Sequence, residues 1–283
     1  MTDWTLSQTY VFNGRIVRYD ICGDGAPLVL VHGTPWSSFN LRHLIQALSI
    51  DFTVYYYDLL GYGQSDKAPG DVSLRIQNQV LGSLLDHWQL DQPAILGHDF
   101  GGTIVLRTHL INKRDFDKMV LINPVALALW GSPFFQHVKM YEAAFAGVPG
   151  YIHEAIVRAY IKTAAFLPID DTTLDMSVAP WIEGAGQAAF YRQIAQADSV
   201  YTDEIQPGYA QIARPVLILW GREDAWIPVD RGAALHAMIS GSLFHVIPDA
   251  GHLVIEEKPD HLLHQIVPFL KNESGERDRH TAD

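Results

Sequence analysis

The feature that most constrains the fold is a series of short, continuous apolar runs separated by stretches with helical periodicity. Such runs are typical of strands covered on both faces, and their alternation with helices predicts a mostly parallel sheet with right-handed crossovers. The predicted strands of this series are residues 28–31, 54–57, 94–96, 119–122, 216–220 and 243–247. The predicted helices between them are residues 38–48, 73–88, 102–111, 231–239 and 259–270.

Two further strands are predicted before this series. Asn13 and Gly14 separate the stretches 11–12 and 16–21, and an Asn-Gly pair supplies the positive φ angles of a tight hairpin turn. A chain of 283 residues is long enough for one large α/β domain. We therefore expect an eight-stranded, mostly parallel sheet flanked by helices.

The alternation of strands and helices stops after the sixth predicted strand. The chain from there to about residue 206 contains no convincing buried strand and shows helical patterns at 137–146, 151–163 and 187–196. A helical insertion at this point predicts a cap over the carboxyl edge of the sheet, where open α/β folds bind ligands. The expected organisation is a core of residues 1–128 and 207–271, a cap of residues 129–206 and a disordered polar tail of residues 272–283.

The composition argues against several classes of function. A formal net charge of −12 without clustered Lys and Arg argues against a nucleic-acid partner. Cys22 is the only cysteine and the 13 histidines form no metal-binding motif, so neither a disulfide nor a metal site is expected. The absence of a leader pattern and of an apolar run of about 18 residues predicts a cytoplasmic protein without membrane insertion. Water and a small-molecule substrate remain as partners, and a homodimer stays open.

The strongest functional signal is the sequence GHDFG at residues 97–101, between the fifth predicted strand and a helix. It fits the pattern of a nucleophile elbow, in which small flanking residues permit a strained turn that presents the middle side chain at the sheet edge. Hydrolases commonly present a serine there, whereas this chain presents Asp99. The alternative interpretation is an ordinary strand–helix turn with Asp99 as a helix N-cap.

Three further signals follow predicted strands. The sequence HGTP at 32–35 lies where one backbone N–H of an oxyanion hole is expected, and the residue after the nucleophile supplies the other. These two amides belong to Thr34 and Phe100. Asp224 and His252 follow the last two predicted strands, so the chain order is nucleophile, acid and histidine, as in a catalytic triad on such a sheet.

With these residues in place, the chain resembles the α/β-hydrolase superfamily over roughly residues 10–270. Because the elbow carries aspartate, it is similar to the branch of epoxide hydrolases, haloalkane dehalogenases and fluoroacetate dehalogenases. The resemblance implies Asp99 as nucleophile, His252 as general base and Asp224 as its acid partner, with no cofactor. Some members carry that acid after the sixth strand, where this chain has Asn123, a side chain without charge. Glu223 could replace Asp224 only if its loop were shifted.

An aspartate at this position suits substitution at a saturated carbon. An ionised carboxylate attacks such a carbon without a base to activate it, and the product is an alkyl ester on Asp99. His252 would then activate water against the ester carbonyl carbon. The resulting oxyanion would lie between the amides of Thr34 and Phe100.

Departures from the resembled families bear on the leaving group. Haloalkane dehalogenases are expected to hold halide with a Trp after the nucleophile and an Asn in the HGxP loop or a second Trp, where this chain has Phe100 and Thr34. Fluoroacetate dehalogenases carry two arginines, where this chain has Phe100 and Thr103; Arg107, one turn further, is expected to point away. Tryptophans that could compensate for the missing halide donors are Trp36, Trp130 and Trp181.

Epoxide hydrolases are expected to protonate the opening ring oxygen with cap tyrosines or a His–Tyr pair. Tyr191 lies in a context similar to the second of these tyrosines. His137 and Tyr141, one helical turn apart, are the candidates for the first donor. Each of the three positions is also compatible with simple packing.

The sequence therefore predicts a cofactor-independent hydrolase that forms an alkyl-enzyme ester, with a small or medium apolar epoxide as the favoured substrate. A dehalogenase with an atypical halide site and an ester or lactone hydrolase with Asp99 as base are alternatives. A non-catalytic ligand-binding member of the fold is a further alternative. The joint presence of Asp99, Asp224 and His252 argues against it, because a binder has no chemical need for all three.

Overall fold

The computed structural model describes residues 4–271. Within these residues, the strands form a single eight-stranded sheet. Its strands are β1 (Gln8–Phe12), β2 (Arg15–Cys22), β3 (Ala26–Val31), β4 (Phe52–Tyr57), β5 (Ala94–His98), β6 (Met119–Ile122), β7 (Val216–Gly221) and β8 (Leu243–Ile247). They lie in the order β1-β2-β4-β3-β5-β6-β7-β8. The pairs β1–β2 and β2–β4 are antiparallel and the other five pairs are parallel, so the predicted mostly parallel sheet is confirmed.

The apolar runs at 119–122 and 216–220 form strands that are buried on both faces, as the sequence indicates. Every residue of β6 and β7 is buried, because helices cover both faces of the sheet there. The hairpin between β1 and β2 turns at Asn13 and Gly14, whose φ angles are 50° and 79°. The expectation that β8 is covered on both faces is wrong: β8 is the edge strand, and its residues Leu243 and His245 are exposed.

The described residues also form twelve α-helices. They are α1 (Arg42–Leu48), α2 (Leu74–His87), α3 (Phe100–Leu110), α4 (Pro133–Met140), α5 (Glu142–Ala146), α6 (Gly150–Lys162), α7 (Asp171–Ile182), α8 (Gly186–Ala195), α9 (Val200–Asp203), α10 (Val229–Met238), α11 (Val254–Glu257) and α12 (Pro259–Lys271). The helix predicted at 38–48 begins as a 3-10 turn over Ser38–Leu41. Helix α3 begins two residues earlier than predicted, directly after Asp99.

Helices α4 to α9 all lie between β6 and β7, and we call this segment the cap. The single helix predicted at 137–146 is wrong, because the backbone of Tyr141 leaves the helical region (φ −127°, ψ 37°) and separates α4 from α5. Helix α7 was not predicted. Asp170 caps its start by accepting a hydrogen bond from the amide of Thr173, and Pro180 inside it obscures the helical pattern.

Two sequence-based expectations concern other parts of the chain. The tail predicted to be disordered, residues 272–283, lies outside the described residues. Among the described helices, none has both the length and the apolar character that crossing a membrane would require.

Close packing at the elbow positions the site. A β-carbon added at Gly101 would lie 2.1 Å from the carbonyl oxygen of Val31 in β3, and one added at Gly97 would lie 2.5 Å from the backbone of Gly101. Side chains larger than hydrogen therefore have no room at these two positions. The absence of those side chains lets α3 start against the sheet and brings its first turn next to β3.

We predict that Gly101→Ala lowers the free energy of unfolding by at least about 1–3 kcal/mol, because its methyl group overlaps the backbone of β3. Gly82→Ala in α2 is the matched control, since nothing lies within 4 Å of an added β-carbon there. The better helix propensity of alanine should raise the stability of that variant by about 0.5–1 kcal/mol. Urea denaturation measures both changes, and equal stabilities of the two variants would contradict the close packing.

Candidate active site

Asp99 is held in a strained turn at the end of β5. Its backbone angles are φ 54° and ψ −120°, a conformation that few residues other than glycine adopt. The side chain is almost fully buried, with 2% of the residue exposed. The predicted elbow geometry is therefore present, and it places the Asp99 carboxylate at the carboxyl edge of the sheet.

Three loops at this edge bring Asp99, His252 and Asp224 together. His252 Nε2 lies 3.1 Å from Asp99 Oδ2, and His252 Nδ1 lies 2.8 Å from Asp224 Oδ2. The ring of His252 is completely buried. His98, the last residue of β5, connects the elbow to the loop of His252, because its Nε2 donates a hydrogen bond of 2.9 Å to the carbonyl oxygen of His252.

Asp224 is fixed by several donors besides His252. Its Oδ1 accepts hydrogen bonds of 2.8 Å from the amides of Trp226 and Ile227, and its Oδ2 accepts one of 2.6 Å from Asn123 Nδ2. Burial by itself would raise the pKa of Asp224, but the charge of His252 and these hydrogen bonds lower it below its ordinary value. Asn123, the uncharged residue that follows β6, thus helps to hold the Asp224 carboxylate.

His252 lies between two carboxylates. Burial by itself would lower the pKa of His252, but the negative charges of Asp224 and Asp99 outweigh that effect and raise the pKa to about 10. The ring is therefore an imidazolium at neutral pH, with an N–H directed at each carboxylate. Neighbouring His98 shows the opposite behaviour, since burial lowers its pKa to about 4 and keeps it neutral.

The backbone of the loop after β3 contacts the other oxygen of Asp99. The amide of Thr34 donates a hydrogen bond of 2.6 Å to Asp99 Oδ1. Phe100 is the first residue of α3, so its amide has no acceptor within the helix. These are the two amides that the sequence predicted for an oxyanion hole. The geometry directs Oδ1 towards the Thr34 amide and Oδ2 towards His252.

A small cavity of about 30 Å³ lies beside Asp99. The ring of Trp226 forms part of its wall and lies 5.1 Å from the ring of His252, measured between centroids. Its aromatic lining comes from the core and the cap and includes Phe100, Trp130, Phe135, Tyr160 and Trp226. Such a lining with a few polar groups is typical of a site for a mostly apolar small molecule.

Comparison with known proteins agrees with this fold. Residues 28–265 match the alpha/beta hydrolase family, and this span contains the elbow, the loop of Thr34, Asp224 and His252. The chain belongs to the alpha/beta hydrolase family. It therefore shares the hydrolase fold in which a nucleophile, an acid and a histidine meet at the sheet edge.

Among hydrolases of this family, the chain is 26% identical over 275 residues to the 2-hydroxy-6-oxononadienedioate/2-hydroxy-6-oxononatrienedioate hydrolase of Klebsiella pneumoniae, covering 91% of this chain and 92% of that protein. It is 25% identical over 296 residues to the soluble epoxide hydrolase of Corynebacterium sp., covering 92% and 95% respectively. A crystal structure of an alpha/beta hydrolase fold protein from Burkholderia ambifaria shows 44% identity and a TM-score of 0.92, covering 94% of this chain and 98% of that one. The two curated relatives are named for different substrates, so the comparisons do not give the substrate of this chain.

The structure of this alpha/beta hydrolase does not bring His137 and Tyr141 to the cavity. Both residues are exposed on the cap. Helix α4 buries Phe135 and Val138, which directs His137 away from the core, and Tyr141 follows at the break between α4 and α5. The expectation that one of these two residues donates to the leaving group is therefore corrected.

Tyr191 is buried, but it is not among the residues that line the cavity. Its hydroxyl lies 2.9 Å from His153 Nδ1, and His153 Nε2 lies 3.0 Å from the carbonyl oxygen of Trp181. Because the carbonyl can only accept, His153 Nε2 donates to it and Nδ1 accepts from Tyr191. The Tyr191 hydroxyl thus donates its proton to His153 within the cap.

The tryptophans considered as halide donors differ in their partners. Trp181 Nε1 donates to the carbonyl oxygen of Pro35 at 2.7 Å, and Trp130 Nε1 donates to Thr202 Oγ1 at 3.1 Å. Trp36 Nε1 is buried and has no acceptor among residues 4–271, although Trp36 does not line the cavity.

Arg107 is directed away from Asp99, as expected, and its guanidinium group binds Asn78, Glu204 and the carbonyl oxygen of Tyr201. A substrate carboxylate would thus not find this arginine at the site.

No group of three or more His, Cys, Asp or Glu side chains in the described part of the chain could hold a metal ion.

Tyr160 is the residue at the cavity that sequence reasoning missed. It lies in α6, lines the cavity together with Asp99, and its hydroxyl has no hydrogen-bond partner among the described residues. Burial raises the pKa of Tyr160, and the negative charge of Asp99 raises it further, so the hydroxyl keeps its proton. Helical periodicity predicted α6, but no local motif marks which of its side chains reaches the sheet edge.

Sequence reasoning also missed a group of three hydrogen-bonded residues that links the loop of Thr34 to the cap. Gln193 Oε1 in α8 accepts hydrogen bonds from Thr34 Oγ1 at 2.7 Å and from the Tyr62 hydroxyl at 2.9 Å. All three residues are buried. The cap therefore stabilises the same loop whose backbone amide binds Asp99.

We predict that His252→Gln is less stable than the wild type by up to about 3–5 kcal/mol near neutral pH, because two buried carboxylates lose their cation. The pKa of His252 in the folded protein, about 10, exceeds the ordinary value of 6.5. The stabilisation by the protonated ring is therefore complete below about pH 6.5 and disappears as the pH rises through about 10.

Urea denaturation of both proteins at about pH 7 and about pH 10.5 should show the stability difference shrinking with rising pH. Titrations elsewhere in the protein affect both variants equally and cancel in the difference. A difference that stays constant over this range would contradict a charged resting state of His252.

Proposed function

We propose that the protein is an epoxide hydrolase that works through an alkyl ester on Asp99. The observation that carries this proposal is the placement of the Asp99 carboxylate, with Oδ1 at 2.6 Å from the Thr34 amide nitrogen and Oδ2 at 3.1 Å from His252 Nε2. A carboxylate held in this way needs no base before it attacks a saturated carbon. Sequence similarity to the soluble epoxide hydrolase of Corynebacterium sp., at 25% identity, supports the assignment.

In the first step, Asp99 Oδ2 attacks a ring carbon of the epoxide. A bond forms between Oδ2 and that carbon, and the bond between the carbon and the ring oxygen breaks. The released oxygen takes the hydroxyl proton of Tyr160, which faces the same cavity. The raised pKa of Tyr160 keeps this proton available until the ring opens.

Formation of the ester changes the role of His252. Before the reaction, two carboxylates hold this ring in its charged form. The ester oxygen on Asp99 carries no charge, so one of the two groups that raise the pKa of His252 is removed. The pKa falls, the ring gives up a proton that restores the hydroxyl of the Tyr160 phenoxide left by ring opening, and His252 becomes a base at the stage at which a base is needed.

In the second step, neutral His252 takes a proton from water as the water oxygen attacks the carbonyl carbon of the Asp99 ester. The oxyanion forms on Oδ1, where the amides of Thr34 and Phe100 stabilise it. Collapse of this intermediate breaks the carbon–Oδ2 bond of the carboxyl group, and His252 gives its proton to the departing diol. The new carboxylic acid of Asp99 gives its proton to His252, which restores the carboxylate and the imidazolium, so that the sum of both steps is epoxide plus water to diol.

An alkyl halide is the second candidate substrate. The same carboxylate, base and oxyanion hole would serve it. The buried indole N–H of Trp36 lacks an acceptor in the described residues, but Trp36 does not line the cavity beside Asp99. Against this candidate, Phe100 follows the nucleophile and offers no side-chain donor for halide.

We expect His252→Gln to accumulate the alkyl ester, because ester formation does not need a base and ester hydrolysis does. The variant is incubated separately with 1,2-epoxyhexane and with 1-bromohexane, and its intact mass is recorded. A gain of the whole epoxide mass identifies a ring-opening enzyme, whereas a gain of the bromide less HBr identifies a dehalogenase.

The matched control carries Asp99→Asn in addition to His252→Gln and should form no adduct. An adduct that persists in this double variant would show that another residue is the nucleophile. Diol formation that is undiminished in the single variant Asp99→Asn would overturn the proposal as a whole.

Tyr160→Phe in the His252→Gln background tests the acid. Adduct formation with epoxides should slow by about 10²–10⁴, because the opening oxygen loses its proton donor. Adduct formation with the bromide should be unchanged, since a halide leaves without a proton. Tyr151→Phe is the control, because Tyr151 lies in the same helix but is exposed. Equal slowing with both reagents would assign Tyr160 a packing role instead.

A further inference from the structure

The cavity beside Asp99 is too small for a whole substrate. It has room for about 30 Å³, and a single water molecule needs roughly 10–15 Å³ on the same measure. The cavity therefore has room for about two or three molecules of the size of water. Only the reacting end of a substrate can be accommodated next to the Asp99 carboxylate, and the rest of the molecule must lie elsewhere.

A larger groove adjoins this cavity. Its volume is about 520 Å³, and it is lined by residues of α4, α6 and the loop after β7. Ala159, Thr163 and Ala225 are exposed, so the groove is open to solvent. The residues that line both the groove and the cavity are Ser132, Tyr160 and Trp226.

The boundary between groove and cavity is an aromatic pair. The rings of Tyr160 and Trp226 are stacked, with 4.6 Å between centroids and 20° between planes. Trp226 is also the ring next to His252, and its Nε1 donates to Thr163 Oγ1 on the side of the groove. A molecule that extends from Asp99 into the groove must pass this pair.

The chemistry of the groove restricts what it can bind. Its described lining contains no charged side chain and is dominated by apolar groups such as Pro133, Phe134, Ile156 and Ala159. A carboxylate or phosphate in the groove would lose water without gaining a partner. An uncharged aliphatic chain would gain from burial against these side chains.

We propose that the groove binds the apolar tail of the substrate while only the reactive ring enters the inner cavity. The substrate class is then a terminal epoxide with an uncharged aliphatic chain. The proposal rests on the proposed function for the chemistry at Asp99, and it adds Ala159 as a residue that determines chain-length specificity. Ala159 does not line the inner cavity, so it affects the tail and not the reacting end.

The first test is a series of 1,2-epoxybutane, 1,2-epoxyhexane and 1,2-epoxyoctane with the wild-type enzyme. Each methylene group buried in the groove should raise kcat/KM about 3- to 4-fold, so the octane derivative should exceed the butane derivative by about 100-fold. A kcat/KM that does not change with chain length would overturn the inference and leave the proposed function intact.

The second test fills the groove with Ala159→Phe. We expect kcat/KM for 1,2-epoxyoctane to fall at least about 10-fold and that for 1,2-epoxybutane to stay unchanged. Ala144→Phe is the matched control, because Ala144 is also an exposed alanine in a cap helix but does not line the groove. Equal losses for the short and the long epoxide in Ala159→Phe would count against a tail site.

A binding measurement separates the two proposals. Calorimetry with 1-butanol, 1-hexanol and 1-octanol and the inactive variant Asp99→Asn should show affinity rising with chain length, and Ala159→Phe should abolish that rise. If this pattern is found but no epoxide is hydrolysed, the proposed function fails while the groove stands. If epoxides are hydrolysed but alkanol affinity does not depend on chain length, the groove assignment fails alone.

Discussion

Two carboxylates lie on opposite sides of one buried imidazole ring, and the rest of the site depends on this arrangement. Asp99 and Asp224 hold His252 in its charged form, although burial alone would remove the charge. A single charge buried without partners is very costly, and here each charged group has an opposite charge within hydrogen-bond distance. The arrangement carries a net negative charge, so additional donors must stabilise it.

The fold supplies those donors from the backbone at the carboxyl edge of the sheet. The amide of Thr34 serves Asp99, while the amides of Trp226 and Ile227 serve Asp224. All of them lie in loops that directly follow β3 and β7, so the sheet register fixes their positions. Because Gly101 allows α3 to approach β3 closely, the elbow and the loop of Thr34 lie within reach of each other.

The fold of the core and the clustering of Asp99, Asp224 and His252 could be predicted from sequence because their signals are local. A buried parallel strand is a continuous apolar run, and the elbow is defined by the small residues on both sides of Asp99. The cap residues that reach the cavity were harder to predict, because the buried face of each cap helix depends on how all the cap helices pack together. His137 and Tyr141 share a plausible spacing but lie outside, whereas Tyr160 reaches the cavity from a predicted helix without any marking motif.

The position of Tyr160 divides the proposed chemistry between two parts of the chain. Everything that hydrolyses the ester comes from the loops of the sheet, including Asp99, His252 and both oxyanion amides. The proton donor that suits an epoxide comes from the inserted cap. An exchange of cap helices could thus change which bond the enzyme opens without rebuilding the half-reaction that releases the product. In the proposed mechanism, the loops of the sheet supply the groups that hydrolyse the ester, and the cap supplies the acid that protonates the leaving group.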